Sequence, residues 1–166
     1  MGLSHEKEQI MSHIPLLVRV FDKSEGDVLE IGTGYFSTLL LNWLGDLAKR
    51  HTWSYENRPG WHGRAVRNKG NYHHVVHCPN WDDADFERQH WGLVLIDHNP
   101  NYRRITEVRR LANLADYIVC HDTEPENDGG YQYSKVFPEF KYVYHYTKYP
   151  AWTSVVSNFK DLSNIP

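Results

Sequence analysis

From residue 27 onward, short apolar runs rich in β-type residues alternate with segments whose apolar positions recur at helical spacing. The runs at 27–31, 52–56, 73–78, 93–97, 117–121, 140–146 and 152–158 read as strands. Helical spacing at 37–49 and 102–114, with weaker versions at 60–68 and 81–89, fills the crossovers that parallel strands need. Only the short stretch around 148–151 separates the last two runs, too little for a parallel crossover, so these strands are expected as an antiparallel hairpin. The pattern predicts an α/β fold with a seven-stranded, mostly parallel sheet and helices on both faces. Ahead of it, Ser4 followed by Glu6 and Glu8 reads as a helix start. That helix is expected to pack Ile10, Ile14, Leu17 and Phe21 onto the sheet and to bend at Pro15.

Composition narrows the class. With 166 residues and no low-complexity stretch, one domain is expected. A hydrophobic share of 40% with 23% charged residues is that of a globular protein. The net charge of −3 lacks the Lys and Arg surplus of a polyanion binder, so nucleic acid is not an expected partner. Cys78 and Cys120 end apolar runs and read as reduced core thiols, which points to a cytoplasmic protein. No run approaches membrane-span length, and Gly2 is followed by Glu6 where a myristoylation signal needs Ser or Thr. A soluble, unanchored chain is expected, and its oligomeric state is left open.

The most informative residues are Val28-Leu29-Glu30-Ile31-Gly32-Thr33-Gly34-Tyr35-Phe36-Ser37-Thr38, an apolar strand that ends in Gly-x-Gly and runs into a helix. Glycine there lets a ligand approach the backbone, and Ser37 and Thr38 are placed to cap the helix. Glu56 ends the second strand, followed by Asn57, where an acidic side chain suits both ribose hydroxyls of a nucleoside. Glu30 lies inside the first strand, and a carboxylate there needs a cation or donor as partner.

These motifs resemble class I S-adenosylmethionine-dependent methyltransferases from residue 28 to 158, with Leu29 to Gly34 as the first motif and Tyr55-Glu56 as the acidic second. The resemblance implies a Rossmann-like methyltransferase fold and S-adenosylmethionine as cofactor. It further implies that Glu30, Gly32, Thr33, Gly34 and Tyr35 hold the methionine half, Glu56 and Asn57 the ribose, and Asn80, Trp81 and Asp82 flank the adenine.

Strand four stops at Asp97-His98 and strand five at His121-Asp122-Thr123, which delivers two carboxylates to one sheet edge, a pair that suits Mg²⁺. Asp97 with Tyr102, and His121-Asp122-Thr123, resemble the catechol-type branch with its Asp-Gly-x-His-x-Tyr motif. In that branch the strand-end acids ligate the metal, so the resemblance implies a metal role for Asp97 and Asp122 and places Asp97 beside the cofactor. The motif's Gly and His positions hold His98 and Pro100, and no Lys follows Asp97 as base, so carboxylates that only organise the loops stay an alternative to the ion. His98 and His121 are the general-base candidates, with Asp122 beside them. On the third strand His73, His74 and His77 alternate; only His73 and His77 share a face, which favours packing or solvent roles over a metal cluster. Arg103, Arg104, Arg109 and Arg110 read as a solvated outer helix face, with contact to an anionic acceptor as the alternative. Tyr131, Tyr133, Tyr149 and Trp152, around Gly129-Gly130 and the final hairpin, are placed either to stack on a flat acceptor or to pack.

The expected activity is methyl transfer to a hydroxyl of a small molecule. A non-catalytic nucleoside binder or partner subunit, and transfer to an amine suggested by Asn99-Pro100-Asn101-Tyr102, remain alternatives; a nicotinamide oxidoreductase fits poorly with a terminal hairpin.

Overall fold

The structure, a computed structural model, describes residues 10–165. Its sheet grows in both directions from β1 (Val28–Ile31), which pairs in parallel with β2 (Thr52–Glu56) on one side and β4 (Trp91–Ile96) on the other. β3 (His73–His77) continues one side and β5 (Ala115–His121) the other. β7 (Thr153–Ser157) then inserts antiparallel between β5 and β6 (Tyr142–Tyr146), giving the order β3-β2-β1-β4-β5-β7-β6. All seven expected strands form, and the terminal hairpin is antiparallel as its short connection requires.

Alternation along the strands divides the core between two faces. Leu29, Ile31, Val94 and Ile96 meet Val108 and Leu111 of α4 (Arg104–Leu111). On the other face Val28, Leu93 and Leu95 meet α1 (Ile14–Lys23) and Leu41 of α2 (Ser37–Ala48). α3 (Pro59–Arg67) covers the β2–β3 side. Both cysteines are buried free thiols. Among the described residues, no helix is long and apolar enough to cross a membrane.

Three local expectations need correction. Helix at residues 10–11 breaks in a turn at 12–13 before α1, and Pro15 lies in the first turn of α1, where a proline gives up an N–H that has no helical partner anyway. Leu16, Leu17, Val20 and Phe21 bury, whereas Ile10 is 40% exposed. The expected start at Ser4, Glu6 and Glu8 lies outside the described residues. Residues 81–89 form two 3-10 turns, Trp81–Asp83 and Phe86–Arg88, instead of a helix. Here tertiary bonds decide: the Trp81 indole donates to the Asn99 carbonyl and the Trp91 indole to that of Phe86. α2 has Phe36 at its N-cap and no side-chain cap, and the Thr38 hydroxyl has other partners.

Candidate functional site

Strand order reverses between β1 and β4, and in open α/β sheets such a switch point opens a crevice beyond the strand ends. A cleft of about 300 Å³ lies there, lined by Gly32, Thr33, Glu56, Asn57, Asp97 and Arg104 together with Tyr35 and His98. The glycine turn and the acid of the second strand are in direct contact. One Glu56 oxygen accepts from the Thr33 N–H and hydroxyl, both at 2.8 Å, and the other accepts from the Arg58 N–H at 2.8 Å. A carboxylate offers about four lone-pair directions, so Glu56 keeps room for about one more bond from the cleft.

Gly32 is required for a reason other than ligand approach. Its φ is +89°, and a Cβ would stand 2.5 Å from the His98 Cα and 2.7 Å from the Asp97 carbonyl oxygen. The turn therefore presses against the end of β4, which locks the two strand ends bordering the cleft.

Glu30 is not in the cleft. It is fully buried under the start of α2, with Thr38 Oγ1 at 3.0 Å and Ser54 Oγ at 2.5 Å. Ser54 Oγ also lies 2.7 Å from His73 Nε2, and His73 Nδ1 stands 3.2 Å from Asn42 Oδ1, which accepts from the Gly70 N–H. Burial pushes the Glu30 carboxyl up to about 7 and the His73 imidazole down to about 4. A neutral chain satisfies every atom: His73 Nδ1–H donates to Asn42, Ser54 donates to His73 Nε2, and protonated Glu30 donates to Ser54. The partner that Glu30 needs is supplied by the protein, which corrects its expected role against a methionine ammonium. Through Thr38, whose hydroxyl accepts the Gly34 N–H at 2.9 Å, Glu30 supports the loop from below.

On the β4–β5 side the expected carboxylates do meet, and a side chain already stands between them. Arg104, 3% exposed, places Nη2 at 2.8 Å from Asp97 and Nη1 at 3.2 Å from Asp122. Its Nε–H donates to the His98 carbonyl and Nη1 to that of His121. Asp122 reaches this cluster from a left-handed backbone conformation, φ +58°, and also accepts from the Tyr131 hydroxyl at 2.9 Å. The expectation of Mg²⁺ shared by Asp97 and Asp122 is thereby corrected, since a guanidinium supplies the positive charge and fills the gap. Arg104 is therefore not part of the solvated face expected for the run 103–110. The signal that identifies it is helical phase: 104, 108 and 111 share one stripe, and Val108 and Leu111 are core.

The candidate bases are not free. His98 turns inward with its side chain fully buried, Nε2 3.3 Å from Glu107 and the ring edge-on to Trp81, and burial lowers its pKa. His121 Nε2 lies 2.8 Å from Ser12 Oγ, whose proton goes to the Ala151 carbonyl, so Nε2 donates. His121 Nδ1 faces Asp97 at 3.4 Å and Asp122 at 3.6 Å. Burial opposes charge on His121, but these carboxylates outweigh it and raise the imidazole above its ordinary range. Asp97 is held well below the carboxylate range, the His121 and Arg104 charges overcoming burial. His121 thus pairs with both carboxylates through Nδ1.

Of the remaining candidates, Trp81 is a core residue, while Asn80 and Asp82 are exposed and bond to their own turn or to Arg103. None of the three lines the cleft. His73 is buried and His77 exposed, and they form no metal cluster. Tyr133 packs with its hydroxyl on the His121 carbonyl, and Trp152 borders a separate groove of about 630 Å³ with Phe137 and Val143.

No protein-family model matches the sequence, and no curated protein matches it. Solved structures do resemble it. The methyltransferase domain described as "delta-N METTL16 MTase domain" aligns at TM-score 0.66 with 12% identity, over 91% of this chain and 82% of that one. An O-methyltransferase from Bacillus cereus, in complex with SAH, aligns at 0.64 with 14% identity over 94% and 82%. A putative O-methyltransferase from Klebsiella pneumoniae aligns at 0.64 with 17% identity over 95% and 82%. At these identities the likeness establishes the fold: the chain has the Rossmann-like architecture of S-adenosylmethionine-dependent methyltransferases.

Proposed function

We propose that the cleft binds S-adenosylmethionine and that the chain transfers its methyl group to a hydroxyl of a small-molecule acceptor. The observation that carries this reading is the Glu56 carboxylate, bonded to the turn after Gly32 and facing a cleft at the switch point of a methyltransferase-type sheet. In that reading Glu56 and Asn57 take the ribose, Thr33 to Tyr35 border the methionine half, and Asp97 closes the far side. Mg²⁺ has no part in it, because Arg104 already bridges Asp97 and Asp122. A sulfonium is an activated donor, so the main demand on the protein is alignment of acceptor, methyl carbon and sulfur. Arg104 is a positioning residue: it ties the β4 and β5 ends into one wall of the cleft.

The imidazoles favour a second reading, a non-catalytic nucleoside binder. His98 is buried and His121 is ion-paired, so neither stands ready to take an acceptor proton. Calorimetry with S-adenosylmethionine, S-adenosylhomocysteine and NAD tests the common part: the sulfur nucleosides bind and NAD does not. Binding of NAD alone overturns both readings. Transfer of labelled methyl to a panel of hydroxyl acceptors separates them, since the binder transfers none.

A further inference from the structure

Beneath the wall of the cleft lie two imidazoles that methyl transfer does not use, beside Asp97. His13 sits in the turn before α1, 2% exposed, and neither of its ring nitrogens has a hydrogen-bond partner among the described residues. An unsatisfied buried polar group costs about 1–3 kcal/mol, so two on one ring call for a ligand. The ring stands edge-on to His121, centroids 4.6 Å apart. One ligand atom each from His13, Asp97 and His121 lies within 4.8 Å of the others.

We propose that His13, Asp97 and His121 form a binding site for one borderline-soft divalent cation of the Zn²⁺ type. Two imidazoles and one carboxylate are a donor set for such ions, and they do not suit Mg²⁺, which takes oxygen. His121 carries the support a ligating imidazole needs: Nε2–H donates to Ser12 Oγ, which donates to the Ala151 carbonyl, and this leaves Nδ1 turned toward Asp97, where the incoming cation displaces the Nδ1 proton to solvent. Asp97 holds Arg104 and retains lone pairs for a cation, since a carboxylate offers about four. Of the three donors only Asp97 also lines the cleft, so the site lies behind the cleft wall. The site differs from the Asp97 and Asp122 pair by its nitrogen donors and by its place on the His13 side of Asp97. It does not depend on the nucleoside reading.

The test is Co²⁺ binding to chelator-stripped protein, followed by visible d–d absorption and calorimetry, with Mg²⁺ as competitor. One Co²⁺ per chain is expected, with an absorption band and no displacement by Mg²⁺. His13→Ala and His121→Ala should each weaken binding by more than the ~10–100-fold that loss of a supporting partner costs, and Ser12→Ala should fall within that range. His13→Gln, which keeps the ring's approximate bulk, serves where the alanine variant does not fold, and it should lose the absorption band. Absence of saturable Co²⁺ binding, binding unchanged by His13→Gln, or ready displacement by Mg²⁺ would overturn the site. Homocysteine-nucleoside binding is read in parallel: nucleoside binding without Co²⁺ sinks the cation site alone, and Co²⁺ binding without nucleoside sinks the function proposed above alone.

Discussion

The two sides of the cleft are built differently. On the β1–β2 side the contacts are short and local in design: a glycine turn, the acid at the next strand's end, and backbone N–H groups on that acid. On the β4–β5 side, five charged or titratable groups from four separate parts of the chain meet: His13, Asp97, Arg104, His121 and Asp122. The first side leaves a carboxylate with capacity for a ligand. The second pairs its own carboxylates with a guanidinium and an imidazole. Like strand-end acids therefore serve different ends, and the neighbour that reaches them decides which.

Substitutions can break that comparison. Gly32→Ala should have the largest effect, because it forces a left-handed φ and drives a Cβ into the β4 backbone. We expect a loss above about 4 kcal/mol in denaturant unfolding, and a loss below about 1 would remove the packing argument. Arg104→Met strands two carboxylates and should cost roughly 3–5 kcal/mol. If this variant is instead stable and takes up Mg²⁺ while the wild type does not, the guanidinium was only occupying a metal site. Glu56→Gln keeps the shape but loses the charge, and should weaken S-adenosylhomocysteine binding by about tenfold or more. Unchanged affinity by calorimetry would take Glu56 out of the site.

Glu30 sharpens the contrast through pH. Its carboxyl is raised from 4.5 to about 7 by burial, so the folded state holds a proton that the unfolded state releases. The stability it contributes is present in full below about pH 4.5 and is lost as pH rises through about 7. Glu30→Gln should flatten that slope and gain about 1–3 kcal/mol relative to wild type at pH 8. Parallel stability profiles from pH 5 to 8.5 would show Glu30 to be ionised throughout. Asn80→Ala should change least, by less than about 0.5 kcal/mol in stability, with nucleoside affinity unaltered. A clear loss of affinity would restore the adenine role that the resemblance gives it.

Much of the fold was legible. Seven strands, their parallel pairing and the final hairpin follow from apolar period and connection length, and the pairing of Gly32-Thr33-Gly34 with Glu56 follows from strand ends that topology makes neighbours. The β4–β5 side was legible only in part. Strand ends put Asp97 and Asp122 at one edge, whereas the charge of Arg104 points to solvent and only its helical phase, shared with Val108 and Leu111, points to the core. Ser12 and His13 gave no signal at all, since nothing in a pre-helical turn announces contact with a strand end more than a hundred residues away.

Sequence alone determined the order of elements, the glycine turn and the position of acids at strand ends, because these depend on local period and backbone freedom. Tertiary structure alone decided the charge state and use of those acids. Desolvation, and which cation arrives within about 3 Å, are properties of packing between distant segments, and no spacing along the chain encodes them.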